Sequence, residues 1–177
     1  MPLLKEEIYT IEDIYALPEG ERAELIDGQI YMMAAPSTGH QRMVGRLYYE
    51  IADFIRKNNG DCEVFSAPFA VFLSEETEYM EPDVSVICDP SKIDDRGCHG
   101  APDWVIEIVS PTSRSMDYMI KMTKYQTEGV REYWIVDPEK DRVMVCSFEK
   151  EEFTEYTLQD EIPAGIYEGE LRIRIGE

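Results

Sequence analysis

The chain has 177 residues, 44% of them hydrophobic, and a net charge of -20 from 17 basic and 37 acidic residues. That length carries one domain with a real core, and no apolar run approaches the roughly 18 residues of a membrane span. The acidic balance repels polyanions in bulk, so any nucleic-acid site must be a local basic strip.

The N-terminus, MPLLKEEIYT, lacks the apolar stretch of a secretory signal, and a cytoplasmic location is the expectation. Cys62, Cys88, Cys98 and Cys146 form no C-x-x-C pair. In such a compartment they are expected to be reduced, mostly as small core residues. Cys88, Cys98 and His99 match no standard zinc spacing.

In chain order, Thr10 caps a short helix over about 11–17, stopped by Pro18. Asp27-Gly28 between two apolar stretches marks a hairpin that pairs Leu25 with Ile30 and Glu24 with Tyr31. Ser37 or Thr38 caps a long helix to about Asn59, with Met43, Leu47, Ile51 and Phe54/Ile55 as its apolar stripe. Short strands follow at CEVFS, PFAVFL and DVSVIC, and residues 89–102 read as a surface loop. A strand at 104–109, a helix from Ser115 to Glu128 and a buried strand EYWIVD read as a βαβ crossover. A hairpin (RVMVCSF, EFTEYTL) and a short strand ELRIRI close the chain. The pattern implies one domain over residues 1–177 of α/β or α+β class, a mixed sheet flanked by helices with extra hairpins at both ends.

Glu107 stands inside the apolar strand WVIEIV, where a carboxylate is costly without a partner. Asp103, four residues earlier, is roughly 13 Å away and cannot share a small ion with it. Asp83 opens a different strand. If the two strands are neighbours, Asp83 and Glu107 can converge on one divalent cation such as Mg²⁺. Otherwise Glu107 sits at an exposed sheet end or bonds an arginine. Asp117, Lys121 and Tyr125 share a helix face, with Lys124 close to it. Spacing alone does not choose between the lysines, nor between an exposed ion pair and a lysine reaching the metal site.

The stretches ELIDGQI, HQRMVGRL, EPDVSVI, VIEIVSPTSRSMDYMIKMTKY and GVREYWIVDP together resemble the Uma-type restriction-endonuclease-like family of the PD-(D/E)XK nuclease superfamily, over nearly the whole chain. The resemblance implies a restriction-endonuclease-like fold, a metal pair at Asp83 and Glu107 binding Mg²⁺ or Mn²⁺, and DNA as substrate. The superfamily's lysine position is filled here by Val109, and the family's helix lysine maps to Lys121. Glu24 matches an acidic position that would complete the metal shell. His40 matches a recurrent position and is either a site residue or a helix-start cap. Tyr125 is expected to be packing. Arg42, Arg46, Arg114, Lys124 and Arg131 are the cations expected to form the basic strip. A homodimer would pair two sites for two strands. The competing expectations are a catalytically silent nuclease-fold module that binds a protein, and a hydrolase of smaller phosphoesters.

Overall fold

Asp27 and Gly28 both take positive φ, 50° and 71°, the geometry of the two-residue turn for which Asp-Gly is suited. They join β1 (Ala23–Ile26) to β2 (Gln29–Met32) with Glu24 opposite Tyr31 and Leu25 opposite Ile30, the expected register. The computed structural model describes residues 7–176. α1 (Ile11–Tyr15) precedes the hairpin and α2 (Thr38–Lys57) follows it. Then come β3 (Glu63–Ser66), β4 (Val71–Ser74), β5 (Glu78–Met80), β6 (Val84–Ile87), β7 (Ile93–Asp94), β8 (Gly97–His99) and β9 (Trp104–Ile108). A π-helical segment, Met116–Lys121, runs into α3 (Met122–Glu128). β10 (Glu132–Asp137), β11 (Arg142–Ser147), β12 (Glu152–Tyr156), β13 (Ile162–Pro163) and β14 (Arg172–Ile173) complete the chain.

The fold is the mixed α+β arrangement the sequence implied, with its strands in two large sheets. One has the order β2-β1-β5-β4-β8-β7, the other β12-β11-β10-β9-β6-β3, and β13 pairs with β14 apart from both. The N-terminal hairpin is thus the edge of a six-stranded sheet. β9 and β10 are parallel, as a helical crossover between them requires.

Alternation along β9 explains the layers. Trp104, Ile106 and Ile108 face α2, whose Val44, Leu47 and Ile51 are buried against them. Val105 and Val109 face the other way, toward Ile26, Val71 and Met80 of the first sheet and Tyr125 of α3. Glu107 lies on this second face by period-two geometry. It is therefore enclosed between two sheets rather than set on an open one. No helix among the described residues is long and apolar enough to cross a membrane.

Three expectations are corrected. Residues 89–102 are not a plain loop: β7 and β8 form there, β8 pairs with β4, and Cys98 is fully buried. Strands of two and three residues are too short to show alternation. The helix expected from about Ser115 to Glu128 forms, but over Met116–Lys121 it is π-helical rather than α-helical. Lastly, Cys62 and Cys88 form a disulfide, while Cys98 and Cys146 are free and buried. The β3–β6 register sets Glu63 opposite Ile87, which brings the flanking cysteines together across 26 residues of sequence.

Glu132 is a buried carboxylate outside the candidate site. It accepts Trp134 Nε1–H at 2.5 Å and the Ile166 N–H at 2.8 Å, and burial raises its pKa. It ties β10 to the turn between β13 and β14. Glu132→Ala strands both donors, each costing about 1–3 kcal/mol. The expected result is a fall of about 2–6 kcal/mol in urea-unfolding stability. A loss under about 0.5 kcal/mol, the range of surface changes, would contradict this role.

Candidate active site

Four elements deliver carboxylates to one buried place. Glu24 comes from β1, Asp83 from the residue before β6, Glu107 from β9 and Asp117 from the π-helix. β6 and β9 are antiparallel neighbours with Val84 opposite Ile106, which sets Asp83 opposite Glu107. The Asp83 N–H points at Glu107 Oε2 at 3.4 Å. Asp83 Oδ2 accepts the Ile108 N–H at 2.7 Å and lies 3.0 Å from His40 Nε2. Asp103 stands elsewhere, where its carboxylate accepts the Cys88 N–H and pairs with Arg131.

Lys121 is the cation at the centre. Its Nζ lies 2.8 Å from Glu24 Oε2, 2.9 Å from Glu107 Oε1 and 3.6 Å from Asp117 Oδ1. It is 5% exposed, and Glu107 is 4% exposed. Lys124 points elsewhere, to Asp27 Oδ1 at 2.6 Å and Glu78 Oε1 at 3.0 Å, and fastens α3 to the hairpin. Of the two lysines, Lys121 is the one that lies among these carboxylates. Asp117 and Lys121 stand four apart in the π-helical segment and Tyr125 four further on in α3, and all three side chains reach the same point.

Glu24 is held by the Glu81 N–H at 3.1 Å. Asp117 Oδ2 accepts the Ser113 hydroxyl at 2.6 Å. Tyr125 does more than pack, since its hydroxyl donates to Glu107 Oε1 at 2.9 Å. Ser37 caps α2 by accepting the His40 N–H at 3.1 Å, and this fixes the imidazole over Asp83. His40 is therefore a site neighbour as well as part of a capped first turn. Asp117, Ser113 and the Tyr125 hydroxyl were not singled out for the site from sequence. Their signal was the shared helix face, which fits an ordinary exposed ion pair equally well.

Burial raises the Glu107 carboxyl well above the usual range, against the pull of Lys121. Burial also opposes the Lys121 charge, but the Glu107, Glu24 and Asp117 carboxylates outweigh it and hold that ammonium well above its ordinary value. Burial raises Asp117, and the hydrogen bond to Asp83 raises His40. One ammonium faces three carboxylates, so that group fully ionised carries 1 - 3 = -2, and Asp83, paired with His40, adds a fourth carboxylate beside Glu107.

The residues suit a hard divalent cation. Their donors are carboxylate oxygens, the ligands Mg²⁺ and Mn²⁺ prefer. Glu107 Oε2 accepts only the long Asp83 contact, and Asp83 Oδ1 accepts no hydrogen bond from the described residues. Among those residues no group of three or more His, Cys, Asp or Glu side chains is arranged as a ready-made cage. The ammonium of Lys121 stands between the Glu24 and Glu107 carboxylates, and Asp83 is set opposite Glu107 on the neighbouring strand.

A family model described as "Putative restriction endonuclease", Uma2, matches residues 10–168, which span every residue of this cluster. The chain belongs to the Uma2 family. This Uma2 chain is 32% identical over 97 residues to Uncharacterized protein slr1290 of Synechocystis, across 55% of the chain and 50% of that protein. It is 26% identical over 122 residues to Uncharacterized protein sll1609 of the same organism, across 66% of the chain and 67% of that protein. The match thus spans about half the length of the first and two thirds of the second. A crystal structure from Anabaena variabilis, described as "a putative nuclease belonging to DUF820", superposes with a TM-score of 0.75 over 94% of both chains at 23% identity. That likeness establishes the fold.

The basic strip expected of this Uma2 chain is mostly spent internally. Arg114 pairs with Asp137 and Glu139, Arg131 with Asp103 and Glu149, and Lys124 with Asp27 and Glu78. Arg46 Nη1 donates to the Ile175 and Gly176 carbonyls. Arg42 is exposed and bridges to no carboxylate among the described residues.

Proposed function

We propose that this chain is a divalent-cation-dependent endonuclease that hydrolyses DNA phosphodiester bonds, with Asp83, Glu107 and Glu24 as its acidic set and Lys121 as its catalytic cation. The observation that carries this reading is the surplus of negative charge around Lys121. Three carboxylates converge on one ammonium with Asp83 beside Glu107, and a purely structural ion pair needs one of each. Asp83 and Glu107 would hold Mg²⁺ or Mn²⁺. Bound there, such an ion lowers the pKa of a water ligand and offsets charge on the scissile phosphate. The Ile108 N–H and His40 hold the Asp83 carboxylate, and the Tyr125 hydroxyl holds that of Glu107. Lys121 supplies a fixed positive charge to a phosphate oxygen as charge builds there.

The chain's charge of -20 and its internally paired cations favour a second reading, a nuclease-fold module without catalysis. Metal titration and cleavage separate the two. Mn²⁺ at ten times its Kd is expected to stabilise the fold by about 1.4 kcal/mol, a rise in Tm of about 3–6 °C. The same ion is expected to support plasmid nicking, and Asp83→Asn to lose both effects. An equal Tm shift in the Asp83→Asn/Glu107→Gln double variant would defeat the metal assignment. Mn²⁺ uptake with no cleavage of plasmid or of bis-p-nitrophenyl phosphate would favour the silent module.

A further inference from the structure

The open edges of the two large sheets are not alike. β7 is two residues long and lies between Lys92 and Asp95. β12 carries Glu152 and Glu155, and β3 opens on Glu63 and runs on to Pro68. Shortness, charge and proline are the ordinary means of keeping another strand off an exposed edge. β2 has none of them. It ends its sheet, pairs with β1 in unbroken register, and consists of the uncharged Gln29, Ile30, Tyr31 and Met32. The neutral stretch continues through the following loop. Residues 29–41 contain no Asp, Glu, Lys or Arg, in a chain of which 31% is charged. Met32 is 57% exposed, and Ala34, Ala35 and Pro36 are exposed beyond it. At the turn end, Ile8 is 69% exposed, next to Tyr9, whose N–H bonds the Gly28 carbonyl.

Hydrogen-bond alternation defines what this edge offers. A two-residue turn makes Ile26–Gln29 and Glu24–Tyr31 the bonded pairs of the hairpin. The Met33 N–H bonds the Arg22 carbonyl at 2.8 Å in the same alternation. Ile30 and Met32 therefore turn their N–H and C=O groups away from β1, where no strand among the described residues meets them. Tyr31 lies opposite Glu24 and shares its face of the sheet, so the edge borders the carboxylate cluster.

We propose that β2 pairs antiparallel with β2 of a second copy of this chain, across a two-fold axis at Tyr31. Ile30 then faces Met32 of the second copy, and each such pair exchanges both its N–H···O bonds. An antiparallel edge is complementary to itself, as a two-fold interface requires. Charge selects the same occupant. Two chains of -20 repel one another over most of their surfaces and approach most easily along a neutral strip, whereas a basic partner is drawn to the acidic edge at β12. The joined sheet sets Glu24, Tyr31 and their counterparts in one row. Across three strand spacings the two Glu24 Cα atoms stand about 14 Å apart, on one face. The interface does not rest on the nuclease reading. That reading gives it a use, one cluster for each strand of a duplex.

The test is sedimentation equilibrium of the full chain in EDTA, with the circular dichroism of each variant as the control for folding. Wild type is expected at twice the chain mass. Met32→Pro removes an outward N–H and keeps the bonds to β1, while Met32→Lys places a charge on the edge. Each is expected to weaken the dimer at least about tenfold. Phe153→Lys, on the β12 edge, should change nothing. Tyr31→Cys is expected to give a disulfide-linked dimer on mild oxidation, since directly opposed non-bonded residues have Cα atoms about 4.5 Å apart. Phe153→Cys should give none. A monomeric wild type that cuts DNA would overturn the interface and leave the nuclease reading in place. If only a chain cut before Glu7 dimerises, residues 1–6 are the occupant of the edge and the proposal fails. A dimer that survives both Met32 variants and does not cross-link through Tyr31→Cys lies elsewhere and overturns it too. A cross-linked dimer that cuts no DNA in Mn²⁺ upholds the interface and counts against the nuclease reading.

Discussion

Lys121→Met is expected to lower the stability of the metal-free protein by about 3–5 kcal/mol, because it removes the one cation from a buried group of carboxylates. Glu24, Glu107 and Asp117 are each 4% exposed or less, so water cannot replace the ammonium. In a chain of this size the loss corresponds to a Tm lower by about 6–20 °C. The same ammonium that would act on phosphate also neutralises Glu24 and Glu107 at 2.8 and 2.9 Å. Two further results follow from the same contacts. Mn²⁺ should bind Lys121→Met more tightly than wild type and restore part of the lost stability, since a divalent ion can take the place of the missing charge. Cleavage should still be absent. The Lys121→Met/Glu107→Gln double variant should be more stable than Lys121→Met, because it buries one carboxylate fewer. Equal melting of Lys121→Met and wild type in EDTA would mean that the ammonium does not hold the cluster together. Lys124→Met provides the contrast. It loses a half-buried link to Asp27 and Glu78, and should cost stability without changing Mn²⁺ affinity.

Glu107→Gln is expected to do the reverse, leaving the fold nearly intact and removing the function. Burial raises the Glu107 carboxyl, so its charge costs the folded state some stability. The glutamine oxygen can still accept from Tyr125 and Lys121, and Lys121 keeps Glu24 and Asp117 as counter-charges. A stability change within about 1 kcal/mol of zero is expected, with either sign. Cleavage in Mn²⁺ should fall at least about 100-fold, and the Mn²⁺-dependent rise in Tm should disappear, because one of the two carboxylates proposed to hold the ion has become a weak neutral ligand. Retention of the Mn²⁺ shift in Glu107→Gln would place the ion elsewhere. A Tm lower by 10 °C or more would make Glu107 a structural anchor first. The trade between a costly buried charge and activity is common where catalytic groups are enclosed.

Much of the scaffold was legible in the residues. Asp27-Gly28 gave the hairpin and its register, because few dipeptides accept positive φ at two successive positions. The apolar stripe of α2 and the run EYWIVD marked buried surfaces through their periodicity. The strand–helix–strand order around Glu107 implied a parallel pair, and β9 and β10 are one. Glu107 drew attention by its cost, a carboxylate in an apolar strand. What escaped were features whose cause lies across the chain. The β7–β8 strands exist only because β4 offers an edge to pair with. The disulfide depends on the register of β3 against β6.

The same division runs through the candidate site. By itself the sequence determined which groups are available: the carboxylates at 24, 83, 107 and 117, the lysines at 121 and 124, and a valine at 109 where a lysine was expected. Periodicity set which face each residue takes on its own strand or helix. Only the tertiary structure decided which charges meet. It put Lys121 among the carboxylates and Lys124 on the hairpin, and committed Arg114 and Arg131 to acidic partners while leaving Arg42 exposed. The physical reason is range. Propensity and alternation act over a few residues, whereas an ion pair at 3 Å between residues 24 and 121 is fixed by how two sheets and a helix pack.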